Sequence, residues 1–222
     1  METRTAFHEH LREVEDDVLT MGGMVAKAIA LAIEALKKRD LALAHQIIAD
    51  DVQVNKHRFS IEDKCIGLIA TQQPVASDLR IIVAVLNIIT ELERIGDYGE
   101  GIAKIVIMIG DEPPLKPLID IPRMGEITLE MINKSLQSFV ARDVELAMRV
   151  VSLDSVVDGL YDQVFRELLT FMMVDPKTTN RATRLIWVAH NLERSADRAT
   201  NICERVVFTV TGKMEEIGAS KY

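Results

Sequence analysis

The side chains best able to do chemistry in this 222-residue chain are carboxylates placed four residues apart. Glu93 and Asp97 form one such pair, and Glu193 and Asp197 form another. Residues at this spacing project from one face of an α-helix, with Cβ atoms about 5–6 Å apart. Two carboxylates held so close repel each other unless a cation, an arginine or a proton lies between them. The number of such pairs is near chance, so their positions matter more than their count.

The two pairs occupy equivalent positions in an internal sequence repeat. Residues 39–44 (Arg-Asp-Leu-Ala-Leu-Ala) match residues 142–147 (Arg-Asp-Val-Glu-Leu-Ala) at an offset of 103. Leu-Glu-Arg-x-x-Asp strings at 92–97 and 192–197 match at an offset of 100. The first register also aligns Asp51 with Asp154 and Asn55 with Asp158. The chain is therefore predicted to contain two copies of one structural unit.

Within each copy, oxygen-bearing side chains from consecutive helices could face each other and bind a metal ion. Such a donor set suits a hard cation such as Mg²⁺, Mn²⁺, Ca²⁺ or an iron ion better than a zinc site built on Cys and His. The alternative is that the carboxylates form surface ion pairs with Arg94, Arg194, Arg198 and Arg205. The candidate ligands are Asp51, Asn55, Glu93, Asp97 and Glu100 in the first half, and Asp154, Asp158, Glu193, Asp197 and Asn201 in the second.

Signatures of catalysis are missing from the sequence. The Glu-x-x-His motif of di-iron enzymes, glycine-rich phosphate loops, nucleophile elbows and Cys-x-x-Cys motifs are all absent. We therefore predict a protein that is not an enzyme and has no catalytic residues. The competing hypotheses are a metal-dependent phosphohydrolase or carboxylate-bridged oxidase that uses the same carboxylates, and a helical repeat without metal.

The elements that position these residues are predicted to be helices throughout. Apolar residues recur at steps of three and four, and the alternation typical of strands is absent. We predict an all-α fold of two tandem, homologous three-helix bundles, with six helices of about 20 to 35 residues. Asp40, Asp143 and Asp175 are predicted N-caps, and Pro74 and Pro176 suit first-turn positions. Glycines inside helical stretches, such as Gly22-Gly23, predict close helix contacts.

A cluster of four prolines between residues 113 and 122 predicts a stiff linker near the middle of the chain. The predicted boundaries are 1–110 for the first three-helix repeat, 111–122 for the linker and 123–222 for the second repeat. The formal charge of −8 and an aromatic content of 5% argue against nucleic-acid binding. No uninterrupted apolar run approaches the roughly 18 residues of a membrane span, so a cytoplasmic location is expected. Cys65 and Cys203 lie in apolar helical patterns and are expected to be buried, reduced thiols.

Several strings together resemble the PhoU family of bacterial phosphate-transport regulators. They are Ala-Thr-Gln-Gln-Pro-Val-Ala-Ser-Asp-Leu-Arg at 70–80, the two Leu-Glu-Arg-x-x-Asp strings, and the closing Val-Thr-Gly at 210–212. The resemblance extends from Phe7 to Gly212 and includes the repeat. It implies two tandem three-helix bundles, similar to the BAG domain of co-chaperones. It also implies metal sites, with magnesium, manganese, calcium, iron or zinc, on the repeated Glu/Asp-x-x-x-Asp motif.

The same resemblance implies a function and a set of partners. PhoU proteins are negative regulators of phosphate uptake and of the phosphate regulon. They act as cytoplasmic adaptors between the phosphate ABC transporter, with its ATPase and permease, and a phosphate sensor histidine kinase. Contact with the membrane is then expected only through those partners. A homodimer is also expected, although nothing in the sequence defines its interface.

Overall fold

In a computed structural model, which describes residues 2–217 with side chains from residue 6 onward, the chain folds into six α-helices. No strand occurs among these residues, so the all-α fold of two three-helix bundles is confirmed. The first bundle is α1 to α3 and the second is α4 to α6, with a 3₁₀ turn at Pro176–Thr178 before α6. The helices are α1 (Glu2–Lys38), α2 (Leu41–Gln72), α3 (Ser77–Ile109), α4 (Asp120–Ala141), α5 (Val144–Val174) and α6 (Thr179–Thr211).

The two repeated Arg-Asp dipeptides form the same sharp turn in each bundle. Arg39 and Arg142 adopt the left-handed conformation, with φ of 56° and 55°, which ends the preceding helix. Asp40 and Asp143 then accept hydrogen bonds of 2.9 Å from the third following backbone N–H, as predicted for N-caps. These four residues turn the chain directly from α1 into α2 and from α4 into α5.

The prolines agree with the prediction only in part. Pro176 lies in the first turn of the 3₁₀ segment and Asp175 caps it by accepting a hydrogen bond from the Lys177 backbone N–H, as expected. Pro74 lies in the loop before α3 instead of in its first turn. Pro122 lies in the first turn of α4, so the linker ends before residue 120. Proline fits there because the first N–H groups of a helix lack acceptors within the helix.

One helix has the length and composition of a membrane span. Within Ala6–Lys38 of α1, an 18-residue window has a mean hydropathy of 1.6, and half of that window is buried inside the protein. Val14, Val18, Met21 and Val25 are at most 1% exposed, because they pack into the bundle core. The apolar character of α1 is therefore explained by packing in the core, and by itself it is weak evidence for a membrane span.

The two bundles share one hydrophobic core. The buried apolar residues form a single cluster with members from all six helices. Helices α3 and α6 pack against each other along their length. They run antiparallel, because Glu91 contacts Asn201 while Gly101 lies against Asn191. Both central helices therefore contribute buried apolar residues to the shared core.

Helices α1 and α4 also cross closely, at two glycines related by the repeat. A Cβ atom at Gly22 would overlap the side chain of Leu136, and one at Gly125 would overlap the side chain of Ile33. Gly22 and Gly125 are equivalent positions, as are Ile33 and Leu136. The contact therefore has approximate two-fold symmetry, and the prediction of close helix contact is confirmed for Gly22. Gly23 has no atom within 4 Å of a Cβ at its position.

Alanine substitutions at these adjacent glycines test the crossing. We expect Gly23→Ala to raise the free energy of unfolding by up to about 1 kcal/mol, since alanine favours a helix and meets open space. Gly22→Ala should lower it by about 1–3 kcal/mol relative to Gly23→Ala, because the added methyl group displaces Leu136 in a packed core. Urea denaturation of both variants gives the two values. Equal stabilisation of both would show that the crossing tolerates a larger residue.

Candidate functional site: two acidic clusters

The second acidic cluster lies between α5 and α6 and consists of Asp154, Asp158, Glu193 and Asp197. The first two residues are one turn apart on α5, and the other two are one turn apart on α6. The charge of Asp197 raises the pKa of both α5 carboxyls, and both α5 carboxylates raise the pKa of Glu193. The structure therefore brings together the four carboxylates predicted for this half.

Burial raises the pKa of every carboxyl in this cluster, and repulsion between carboxylates adds to the shift at Asp154, Asp158 and Glu193. Burial, followed by repulsion from Asp158 and Asp197, raises the pKa of Asp154 to about 6. Burial and then Asp197 raise the pKa of Glu193 to about 7, although Arg194 opposes the shift. Oδ1 of Asp154 and Oε2 of Glu193 are buried and accept no hydrogen bond. A bound cation would stabilise the ionised form of these groups.

A histidine and a tyrosine line one side of the second cluster. His190 Nδ1 lies 3.5 Å from Glu193 Oε2, and the His190 ring lies 6.1 Å from that of Tyr161. Burial, and then Arg194, lower the pKa of His190 from its ordinary value. His190 is therefore neutral at pH 7, and its contact with Glu193 is not an ion pair. No hydrogen bond joins the two.

The first acidic cluster lies between α2 and α3, and it contains more compensating positive charge. Burial raises the pKa of Asp51, with added repulsion from Glu100, Asp97 and Glu93. Burial and Glu93 likewise raise the pKa of Asp97. The structure therefore brings these four predicted residues together. Asn55 Nδ2 donates to Asp51 Oδ2 at 3.1 Å, so this predicted ligand also lies in the cluster.

Cations from the same bundle offset several of these charges. Arg58 pairs with Glu93 at 3.2 Å, and Lys104 pairs with Glu100 at 2.6 Å. Arg94 lies 3.8 Å from carboxylate oxygens of both Glu93 and Asp97. In the second cluster, Arg194 pairs with Asp197 at 2.8 Å. The ion-pair alternative is thus present for some carboxylates, whereas Asp51, Asp154 and Asp158 form no salt bridge among residues 2–217.

The difference between the clusters follows from substitutions within the repeat. Arg58, which pairs with Glu93, aligns with Tyr161, so Glu193 receives no cation from α5. Asn55 aligns with Asp158, which adds a negative charge to the second cluster. The second cluster is therefore the more electronegative of the two.

Asn201, another predicted ligand, bonds to the first bundle instead of joining the carboxylates of the second cluster. Its Nδ2 donates to Glu91 Oε2 on α3 at 3.1 Å, and Arg198 Nη1 donates to the same oxygen at 3.3 Å. These bonds connect the two bundles. Sequence reasoning missed Glu91 as a partner of Arg198 and Asn201, because Glu91 is more than 100 positions away from both along the chain.

In the present side-chain arrangement, the part of the chain from 2 to 217 contains no group of three or more His, Cys, Asp or Glu residues in a metal-binding arrangement. The second cluster has suitable donor chemistry, with two buried, unpaired carboxylate oxygens. Its side chains would have to rotate for their oxygens to meet at one ion. The predicted metal ligands therefore remain a prediction.

A cavity of about 180 Å³ adjoins the first cluster, where Asp51, Gly96 and Glu100 form part of its lining. Ala28 also lines it, and the equivalent residue in the second bundle is Met131, which is fully buried.

Comparison with known proteins explains the repeat. A family model described as the PhoU domain matches the chain twice, over residues 18–106 and 121–206. The chain belongs to the PhoU family. Each match covers most of one bundle, and the two acidic clusters fall inside the two matched segments.

Similar proteins match over most of their length. A phosphate-specific transport system accessory protein PhoU homolog of Aquifex aeolicus is 42% identical over 84% of both chains. A protein of the same description from Clostridium acetobutylicum is 39% identical over 97% of this chain and 99% of its own. The crystal structure of PhoU from Pseudomonas aeruginosa is 35% identical, with a TM-score of 0.89 over 93% of this chain and all of that one. The PhoU crystal structure from Streptococcus pneumoniae also has a TM-score of 0.89, at 30% identity over 95% of this chain and all of its own.

The raised pKa values predict how the stability of the metal-free protein depends on pH. The pKa values of Asp154, about 6, and Glu193, about 7, lie above their ordinary values of 3.8 and 4.5. The folded state therefore binds more protons than the unfolded chain between about pH 4 and pH 7. We expect this contribution to destabilise the fold as the pH rises through that range, on the order of 1–3 kcal/mol after allowing for partial solvent screening.

The substitution Glu193→Gln removes one of these titrations. It should raise the free energy of unfolding at pH 8 and flatten its dependence on pH, as measured by urea denaturation with a chelator present. Glu145→Gln is the control, since the Glu145 side chain is 92% exposed. A parallel pH dependence in the wild type and Glu193→Gln would contradict the expectation.

Proposed function

We propose that this chain is a regulatory accessory protein of phosphate transport and that it restrains phosphate uptake and phosphate-regulon signalling when phosphate is plentiful. In this proposal it acts in the cytoplasm as an adaptor between a phosphate ABC transporter and its sensor histidine kinase. Support comes from the duplicated bundle, which this chain shares over nearly its whole length with relatives described as accessory proteins of phosphate-specific transport.

A non-enzymatic role fits the chemistry of the clusters. Their groups are mainly carboxylates held close together, a donor set that suits a hard cation. Cys65 and Cys203 are buried, and burial raises the pKa of each thiol to about 12, so neither supplies a thiolate at neutral pH. The adaptor works through protein contacts instead.

An adaptor changes the activity of its partners only through differential affinity. A protein that binds one conformation of a transporter or kinase more tightly shifts the population toward that conformation, by no more than the difference in binding free energy. The shared core of the two bundles suits this role because it presents both bundles to a partner as one rigid unit.

The proposal includes a metal ion at the second acidic cluster. Asp154, Asp158, Glu193 and Asp197 would hold it, and the ion would neutralise charge that Arg194 and Arg198 offset only in part. The observation that favours this cluster is its pair of buried, unpaired oxygens, on Asp154 and Glu193. Carboxylate oxygens are the ligands preferred by hard cations such as Mg²⁺ and Mn²⁺.

The first cluster is proposed as a weaker site. Asp51, Asn55, Glu93, Asp97 and Glu100 lie together there, but the neighbouring cations already compensate part of the negative charge. An asparagine also replaces the second carboxylate on α2 and contributes a neutral oxygen only.

Removing carboxylates from the second cluster should remove bound metal. We expect Glu193→Gln/Asp197→Asn to lose at least about ten-fold in affinity for Mn²⁺, measured by calorimetry on chelator-treated protein. Glu126→Gln/Glu130→Gln is the matched control, because it removes an acidic pair at the same spacing from α4, where both side chains are exposed. Equal Mn²⁺ binding by both variants, or none by the wild type, would refute the metal assignment.

The regulatory role can be tested separately from metal binding. Deletion of the gene in its host should derepress a phosphate-regulated alkaline phosphatase reporter in high phosphate, and expression of this chain should restore repression. Unchanged reporter activity in the deletion strain would count against the adaptor role. Repression restored by Glu193→Gln/Asp197→Asn would mean that regulation does not require the metal.

A further inference from the structure

A cavity of about 180 Å³ lies between the three helices of the first bundle. Most of its wall is apolar. That part is formed by Met24, Ala28 and Leu31 of α1, Ile47 and Val54 of α2, and Gly96 of α3. An apolar cavity of about 150 Å³ holds a molecule the size of benzene. The cavity in the first bundle therefore has room for a six-membered ring with a short side chain.

The fold does not require this space. Ala28 and Gly96 are small, and the residues equivalent to them in the second bundle are Met131 and Ala196, which are both fully buried. The same arrangement of helices thus accommodates a larger side chain at each position. The small residues that open the cavity are a property of the first copy alone, as expected for a binding site that only this copy has.

The polar groups of the cavity are mainly acidic. Asp50, Asp51 and Glu100 line it together with Lys27. Lys104 pairs with Glu100 at 2.6 Å and compensates that charge. Two carboxylates then remain against one lysine, so the cavity is negative and favours a positively charged ligand over an anion.

Asp51 has a carboxylate oxygen that is free to receive such a ligand. Its Oδ2 accepts a hydrogen bond from Asn55 at 3.1 Å, whereas its Oδ1 accepts none from residues 6–217. A Cβ atom at Gly96 would lie 3.4 Å from Oδ1 and 3.3 Å from Val54. The free oxygen therefore lies beside the apolar wall, where one molecule can contact both.

We propose that this cavity binds a small organic ammonium ion, whose apolar part fills the space beside Ala28, Ile47 and Val54 and whose ammonium group donates a hydrogen bond to Asp51 Oδ1. A hydrogen bond between two charged groups is stronger than one between neutral groups, and burial of the apolar part adds to the affinity. The inference is independent of the proposed regulatory function. Asp51 is also a candidate ligand of the weaker metal site, so a chelator is present in every test of the cavity.

Titration of the ¹⁵N-labelled protein with phenethylammonium tests the site. We expect a dissociation constant at or below about 1 mM, with chemical-shift changes at the backbone amides of Val54 and Gly96. The neutral analogue 2-phenylethanol should bind at least about ten-fold more weakly, since it lacks the charge that Asp51 recognises. Phenylacetate, an anion, should bind more weakly still. No binding of phenethylammonium, or binding of either analogue at least as tight, would overturn the proposal.

Methylammonium separates recognition of the whole molecule from attraction of any cation. It carries the same charge without the ring, and we expect it to bind at least about ten-fold more weakly than phenethylammonium. Equal affinity of the two would mean that the acidic groups attract cations without use of the cavity, and it would contradict the proposal.

Filling the cavity should remove the site. Ala28→Met places the residue of the second bundle in the first, and it should raise the dissociation constant of phenethylammonium at least about ten-fold, because the longer side chain occupies the space of the ring. Ala30→Met is the matched control, since Ala30 is exposed on the same helix. Thermal denaturation shows that both variants are folded. Unchanged affinity in a folded Ala28→Met variant would place the ligand elsewhere and would overturn the proposal.

The substitution Asp51→Asn tests the contact with the ammonium group without a change in the size of the cavity. The variant should bind phenethylammonium and 2-phenylethanol with affinities within about three-fold of each other, because the charge is lost and the apolar wall is kept. Asp63→Asn is the matched control, since Asp63 is exposed further along α2. A preference for phenethylammonium that persists in Asp51→Asn would assign the charge recognition to another residue and would refute the proposed contact.

Discussion

The rest of the structure depends on the contact between the two bundles. Helices α3 and α6 run antiparallel through the middle of the molecule, and α1 crosses α4 at two glycines related by the repeat. Leu136 and Ile33 fill the space left by Gly22 and Gly125. The apolar core is continuous, and α3 and α6 join the bundles at its centre. These two helices also bear the acidic pairs Glu93/Asp97 and Glu193/Asp197. The acidic sites are thus built directly on the interface that holds the molecule together.

The buried carboxylates are held near that interface at a cost in stability. Asp154 and Glu193 are partly removed from water and lie close to other acidic groups, so their ionised forms are disfavoured. Polar contacts join α6 to α3 within one helical turn of Asp197, where Glu91 accepts hydrogen bonds from Arg198 and Asn201. On α6, Asp197 of the second cluster lies next to Arg198, which contacts Glu91 of the first bundle. A change in charge at the second cluster therefore acts next to a contact between the two bundles.

The two copies of the repeat have diverged in chemistry while keeping one backbone arrangement. Tyr161 in place of Arg58 leaves Glu193 without a cation from α5, and Asp158 in place of Asn55 adds a carboxylate. On the outer faces α2 has Phe59 where α5 has Asp162, and α5 exposes Phe165 one turn further along. The second bundle has the more negative site. This asymmetry favours different roles for the two bundles.

Much of the local structure could be predicted from short-range patterns. The caps at Asp40, Asp143 and Asp175 were predicted because a side chain and the backbone N–H groups that it caps lie within a few residues. Pro74 was misplaced since a proline before a helix and a proline in its first turn have the same local sequence context. The acidic clusters were predicted because the repeat places equivalent residues on neighbouring helices. Ion pairs with Arg94 and Arg194 were given as the alternative and are present, whereas the Arg58–Glu93 pair was missed, as these two residues lie on different helices.

The sequence by itself determined the all-α fold, the duplication and the identity of the acidic residues, because helix periodicity and repeat register are properties of the chain's order. Tertiary structure decided which carboxylates are compensated, since that depends on burial and on cations brought from distant positions. It also decided that the two bundles form one core, and that Asn201 bonds with Glu91 across their interface. Contact free energies depend on distances in space, and separation along the chain does not specify those distances.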